Sequence, residues 1–173
     1  MQFMKTFKLL MGLLFLFGVS CSDIEQESES FSISTALSIA VVNEQGLDLL
    51  NPQSPNNYDV ANIKVFHEID GVLTEYFKGW LDAPKGYIIY NPREYGNNEQ
   101  FLFCLHATDE GSIKSFTPTT YIQWNEYDMD TIQCHYLKNG TTLITAKVLF
   151  NGEEVWNVEK GANKERIFQV IKR

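Results

Sequence analysis

The sequence predicts an all-β fold, an antiparallel two-layer β-sandwich of the immunoglobulin-like or a related type, with about nine to ten strands. From residue 31 onward, apolar and polar residues alternate with a period of two, as they do along a strand with one buried face. The dipeptides Asp70-Gly71, Asn139-Gly140 and Asn151-Gly152 separate alternating runs and favour the type I′ turn of tight hairpins. After residue 20, no stretch keeps apolar residues at helical spacing with caps at both ends, so we expect few and short helices.

Each alternating run is assigned to one strand, in chain order. The predicted strands are 31–42, 62–69, 72–78, 86–90, 100–107, 119–124, 131–138, 141–150, 153–156 and 166–171. The three dipeptides lie between neighbouring strands of this series and predict hairpins there. Segments 51–59 and 91–98 are rich in Asn and Pro and are predicted to be loops.

Side chains two residues apart on a strand share a face, so the position within each run predicts which side chains meet between the sheets. The predicted core consists of Leu37, Ile39, Val41, Ile63, Val65, Ile122, Trp124, Ile132, Cys134, Tyr136, Leu143, Val148 and Phe150. Trp156 ends a predicted hairpin, where either a buried or an exposed ring fits.

The chain divides into a leader, a tether and one domain. Residues 1–20 are predicted to be a lipoprotein signal peptide, because a basic start and an apolar run of eleven residues precede the small Ser20. As a helix that run is about 16 Å long, too short for a bilayer core of about 30 Å. Residues 21–30 carry acidic side chains and no basic ones, which predicts an acidic tether. Residues 31–173 suffice for a single β-sandwich domain.

The junction Gly18-Val19-Ser20-Cys21 resembles the lipobox of bacterial lipoproteins, although Gly18 stands where a lipobox prefers Leu. The resemblance implies that Cys21 is lipidated and becomes the mature N-terminus, so that acyl chains anchor the protein to a membrane. The acidic run after Cys21 also resembles the signal that sends lipoproteins of Bacteroidota-type bacteria to the outer face of the outer membrane. A solvated linker facing the periplasm is the alternative.

Cys104 and Cys134 can pair in only one way, and a disulfide is permitted outside the cytoplasm. The alternative, two unpaired buried thiols, is slightly favoured, because nothing in the pattern places the two side chains opposite each other.

We predict no metal and no cofactor. Asp128 and Asp130 could form a calcium corner, but side chains at such positions more often bond to nearby backbone. His67 has no Ser, Cys or Asp beside it, so no catalytic pair is predicted.

Aromatic residues are the chain's richest resource for binding, although most belong in the core. Trp80, Tyr90 and Tyr95 lie at strand ends or in loops and are the candidate ligand-binding residues. The alternative is that these rings pack on the bases of the loops. The formal net charge of -8 argues against a nucleic-acid partner.

Segments Gly46 to Pro52, Tyr121 to Cys134 and Phe150 to Trp156 resemble recurrent segments of small uncharacterised lipoproteins from Bacteroidales. The resemblance implies an exported β-sandwich and transfers no activity. We therefore expect a non-enzymatic, lipid-anchored outer-membrane protein that binds a partner protein or a glycan. Both faces of the outer membrane, the cell surface and the periplasmic side, stay open as its location. The alternative is a structural or accessory subunit of a fimbria-like surface assembly, and an enzyme ranks last.

Overall fold

Strands dominate the computed structural model, which describes residues 32–69, 71–94, 99–106, 118–139, 142–161 and 165–173. In chain order these strands are β1 (Ser32–Ser34), β2 (Leu37–Asn43), β3 (Lys64–Ile69), β4 (Val72–Glu75), β5 (Tyr87–Tyr90), β6 (Leu102–Leu105), β7 (Thr119–Asn125), β8 (Asp128–Asn139), β9 (Thr142–Phe150), β10 (Glu153–Asn157) and β11 (Ile167–Lys172). The only helical element within these ranges is a 3-10 turn, Val158–Lys160, whose N-terminus is capped by the side chain of Asn157.

The strands form two sheets. The larger sheet has the order β1-β9-β8-β7-β3-β4, with β10 also paired to β9, and the smaller sheet has the order β11-β2-β6-β5. The predicted all-β, antiparallel-dominated two-layer sandwich is confirmed. The described residues all belong to one compact unit.

The sandwich departs from purely antiparallel pairing near its two chain ends. The predicted strand 31–42 is wrong as a single strand, because it breaks into β1 and β2, which lie in different sheets. β1 runs parallel to β9, and β11 runs parallel to β2. Turn dipeptides predict only pairs of neighbouring strands, so the sequence did not reveal these long-range parallel pairs.

The core lies between the sheets and follows the predicted alternation. All the predicted core residues are buried except Phe150, which is half-buried and packs against the core. Trp124 is fully buried, and its ring lies edge-on to Phe103 of the smaller sheet at 5.1 Å between centroids. Phe103 in turn stacks on Tyr87, and Trp124 stacks on Tyr58. This row of rings joins the sheets through their apolar faces.

The Asn151-Gly152 hairpin forms as predicted. Both residues have positive φ, 50° and 83°, as a type I′ turn requires. Glu153 pairs with Phe150 across the turn. Asp70, Gly140 and Thr141 lie outside the described residues, so the other two predicted turns are not described in full.

Strand register defines two ends of the larger sheet. Ser32 pairs with Thr142 at the start of β9, and Phe150 lies at the other end of this nine-residue strand. At about 3.4 Å per residue, the two ends are roughly 27 Å apart. We call them the Ser32 end and the Phe150 end.

Candidate functional site

An open cleft of about 760 Å³ lies at the Phe150 end, and we call it the end cleft. Both sheets contribute to it, because Lys172 is the last residue of β11 and Asp130 lies on β8. Three of its lining residues, Leu49, Phe150 and Ile171, are apolar. Its buried or half-buried polar lining is Asn43, Tyr58, Asp128, Asp130 and Lys172, and its exposed polar lining is Asn56, Asn125, Tyr127, Asn151 and Arg173.

Lys172 connects the two carboxylates of the cleft. Its ammonium nitrogen lies 2.5 Å from Oδ2 of Asp130 and 2.6 Å from Oδ1 of Asp128. The side chains of Lys172 and Asp130 are only 12% and 7% exposed. The same ammonium lies 5.7 Å from the centre of the Trp124 ring. Buried charges of this kind require partners, and here each has more than one.

Uncharged donors complete the network. The Trp124 indole donates to Oδ2 of Asp130 at 2.6 Å, and the Asn151 amide donates to Oδ1 at 2.7 Å. The Tyr58 hydroxyl donates to Oδ2 of Asp128 at 2.5 Å. Burial, reinforced by this bond to Asp128, raises the pKa of Tyr58 far above its ordinary value. Every carboxylate oxygen of the pair therefore accepts a hydrogen bond.

Asn151 is both the turn residue and a member of the network. Its Oδ1 accepts from the backbone N–H of Thr131 at 2.8 Å, and its own N–H donates to the Thr131 carbonyl at 2.9 Å. A left-handed backbone is tolerated best by Gly and Asn, and the Asn side chain here also fixes Asp130. The hairpin turn and the cleft thus depend on one residue.

The sequence-based expectation that Asp128 and Asp130 bond to nearby backbone is wrong. Their carboxylates bond to side chains that lie up to 70 positions away in the sequence, namely Tyr58, Trp124, Asn151 and Lys172. Within the described ranges, no group of three or more His, Cys, Asp and Glu side chains is arranged to hold a metal ion.

A second surface lies at the free edge of the larger sheet. We call it the Trp80 edge, and it consists of Val72, Leu73, Phe77, Trp80 and Leu81, which are all exposed. Trp80 is 81% exposed and Val72 and Phe77 are each 64% exposed. Among the residues that the structure describes, β4 is hydrogen-bonded only to β3, and none of them pairs with its other side.

The loop that carries Trp80 is held by its own backbone. The N–H of Lys78 donates to the carbonyl of Pro84 at 2.8 Å, and that of Leu81 donates to the carbonyl of Lys78 at 3.1 Å. A Cβ added at Gly79 would lie 3.4 Å from the Phe77 ring, so this ring packs closely on the backbone beside Trp80. The Trp80 ring is therefore exposed on a loop whose backbone is held by hydrogen bonds.

The candidate ligand-binding residues do not share one element. Trp80 lies in the loop after β4, whereas Tyr90 is half-buried at the end of β5 in the smaller sheet. Tyr95 and the predicted lipidation residue Cys21 lie outside the described residues. Trp156 is buried, which decides between its two predicted placements.

Cys104 and Cys134 are free and buried. Cys134 belongs to the core between the sheets, whereas Cys104 alternates with the core residues Phe103 and Leu105 and so faces the opposite side of the smaller sheet. The structure therefore contains the unpaired alternative. Burial raises the pKa of both thiols, that of Cys134 to about 11.

His67 is buried and lies 3.5 Å from the Thr120 hydroxyl and edge-on to the Tyr76 ring. An imidazole beside a hydroxyl is the pairing from which nucleophiles are activated, but both side chains here point into the core. A substrate has no access to this pair.

The chain matches no known family model, no curated protein and no solved structure. Among the described residues there is no helix of the length and apolarity that crossing a membrane demands.

Proposed function

We propose that the protein is a lipid-anchored, non-enzymatic lipoprotein of the outer membrane, of the kind found in Bacteroidales, that binds a partner protein at the cell surface. The observation that carries the proposal is the Trp80 edge, a set of exposed large apolar side chains on and just after β4, which has no second partner strand among the described residues. Monomeric proteins rarely leave such groups of apolar residues in water unless they bind something.

The chemistry of the Trp80 edge suits a protein better than a glycan. Val72, Leu73 and Leu81 are aliphatic and complement the apolar side chains of a partner, with Trp80 and Phe77 as large central anchors. A glycan would use the Trp80 ring face and would gain little from the aliphatic neighbours.

The position of the edge fits an anchored protein. The N–H of Tyr76, just after β4, bonds to Val65, which pairs with Ile122 near the Phe150 end of the sheet. Ser32, through which the domain joins the preceding chain, lies at the other end of β9. A lipid on Cys21 would therefore connect to the described domain through Ser32, which pairs at the opposite end of β9 from Phe150.

Two observations support a role without catalysis. The hydroxyl and imidazole of Thr120 and His67 are buried in the core. The carboxylates of Asp128 and Asp130 are already engaged by Lys172 and neutral donors, which leaves neither placed as a free acid or base.

The alternative is a subunit of a fimbria-like assembly, in which edge strands pair with neighbouring subunits. β4 is only four residues long, which gives few backbone hydrogen bonds to such a pairing. We therefore place the single partner protein first.

Crosslinking from the edge in living cells tests the proposal. A photoreactive amino acid at position 80 is expected to give one defined product, and the same group at Glu153, an exposed residue of β10, is expected to give none. Leu73→Ser should weaken the product. The absence of any product, or equal products from both positions, would overturn the proposed site. A product that contains only this chain would favour the assembly.

Fractionation tests the anchor separately. Cys21→Ala should release the full chain from the membrane fraction, whereas the matched Cys104→Ala should not, because Cys104 is a buried thiol of the folded domain. Unchanged membrane association of Cys21→Ala would refute lipidation.

A further inference from the structure

We propose that the end cleft is a second binding site and that its ligand is a neutral saccharide. The cleft shares no residue with the Trp80 edge. The inference therefore goes beyond the proposed partner protein and does not depend on it.

The base of the cleft is already organised for binding. Asp130 accepts hydrogen bonds from Trp124, Asn151 and Lys172. Because hydrogen bonds already hold these side chains in place, ligand binding would cost little of their conformational entropy. A volume of about 760 Å³ also lies in the range of sites that hold small ligands.

Three Asn side chains of the cleft lining offer amide donors. Asn43 uses its Oδ1 to accept from the N–H groups of Gln45 and Leu47, and Asn125 uses its Oδ1 to accept from Tyr127. These bonds fix both carboxamides while the amide nitrogens make no hydrogen bond to a described residue. Asn56 adds an exposed amide to the same lining. Sugar hydroxyls accept hydrogen bonds from such donors and donate hydrogen bonds to carboxylate or carbonyl oxygens.

An exposed aromatic ring lies beside these amides. Tyr127 is 94% exposed at the tip of the turn between β7 and β8. The C–H face of a pyranose packs well on an aromatic ring, and a ring on a loop tip is open to it from one side. The buried Tyr58 donates its hydroxyl hydrogen bond to Asp128 and stacks on Trp124, so Tyr127 is the tyrosine of the cleft that a sugar can reach.

The charges favour a neutral ligand. Among the residues that line the cleft, Asp128 and Asp130 are balanced by Lys172 and Arg173. The whole chain carries a net charge of -8, which repels polyanions at long range. Apart from Leu49, Phe150 and Ile171, the lining is polar or charged, so an apolar ligand that filled the cleft would cover amides and charges without replacing their hydrogen bonds to water. A polyhydroxylated, uncharged ligand satisfies both conditions.

The test measures binding of defined oligosaccharides to the full chain in micelles of a detergent that contains no sugar. The probes are neutral gluco-, xylo-, manno- and lacto-oligosaccharides, with heparin and galacturonate oligosaccharides as acidic counterparts. At least one neutral probe should bind, and Tyr127→Ala should weaken its binding by about tenfold. Asn56→Gly, which keeps the left-handed backbone at φ 58°, should weaken it severalfold.

Trp80→Ala is the matched control, since it removes another exposed ring outside the cleft. Saccharide binding that is unchanged in Trp80→Ala and weakened in both cleft variants supports the inference. No binding of any neutral probe, a preference for the acidic probes, or full binding by Tyr127→Ala and Asn56→Gly would overturn it. Loss of binding in Trp80→Ala alone would move the glycan site to the Trp80 edge, and would thus also contradict the proposal of a protein partner there.

Discussion

Lys172 lies 2.5 Å from Asp130, and this ion pair joins the last strand of the smaller sheet to β8 of the larger sheet. The pair is almost completely buried, and it lies at the base of the end cleft. The same interaction therefore holds the two sheets together at one end of the sandwich and contributes to the lining of the end cleft.

Removal of Lys172 should destabilise the domain strongly. Lys172→Met keeps an unbranched side chain of nearly the same length but leaves the buried Asp130 carboxylate without its cation, which we expect to lower the free energy of unfolding by about 3 kcal/mol. Lys64→Met is the control, because Lys64 and its partner Glu75 are about half exposed, at 47% and 44%. Its effect should stay below about 1 kcal/mol. Urea unfolding measures both, and equal effects would contradict the role assigned to Lys172.

Two substitutions of Asn151 separate its backbone role from its side-chain role. Asn151→Gly keeps the positive φ of the turn and loses only the bonds to Asp130 and Thr131. Asn151→Ala loses the same bonds and keeps a Cβ in a left-handed backbone without the polar side chain that makes Asn tolerant of it, so it should cost about 1 kcal/mol more than Asn151→Gly. We expect Ala to be the more destabilising change in thermal or urea unfolding. The reverse order would show that the turn geometry does not limit stability.

The sequence allowed the core and most strands to be predicted, because both depend on local alternation. Ile122 and Trp124, for example, share a face by simple parity, and both are fully buried. The separation of β1 from β2 and the parallel partner of β11 were missed, since an alternating run says nothing about which distant strand it joins.

The end cleft was missed for the same physical reason. Its members come from five separate parts of the chain, around residues 43, 58, 128, 151 and 172, and only folding brings them together. Lys172 is one charged residue near the end of the sequence, and nothing next to it identifies Asp130 as its partner. The exposure of Trp80, in contrast, could be predicted, because a Trp in a turn-rich segment can be recognised without knowledge of the fold.

Stability should fall in alkaline solution. Burial, together with the charge of Asp59, raises the pKa of Tyr87 to about 12, and its hydroxyl bonds to the carbonyls of Val60 and Ile63. Because this folded-state pKa lies above the unfolded value of about 10, the tyrosine's contribution is complete below pH 10 and is lost as the pH rises from about 10 to about 12.

Urea unfolding across this pH range measures the loss. Tyr87→Phe should make the fall in stability shallower, although it also lowers stability at neutral pH by removing the hydroxyl's bonds. Tyr127→Phe, at an exposed position, should leave the slope as it is. If stability fell with pH as steeply in Tyr87→Phe as in the unsubstituted chain, Tyr87 would be excluded as a source of the alkaline loss of stability.

The two domain thiols should resist modification in the folded protein. Cys104 and Cys134 are buried and their pKa values are raised, so little thiolate is exposed at neutral pH. We expect a thiol reagent to react slowly with the native chain and to react with both residues after unfolding without any reductant. If the unfolded chain gave no reaction until a reductant was added, the two residues would be bridged.

The most direct test of the central claim, that the Trp80 edge is displayed on the outside of the cell by a lipid anchor, is labelling of Trp80→Cys in intact cells with a membrane-impermeant maleimide. Because Cys104 and Cys134 are buried, the unsubstituted chain measures the background. We predict that Trp80→Cys is labelled in intact cells while a periplasmic protein with a free thiol is not. Labelling that appears only after the outer membrane is opened would contradict display at the cell surface.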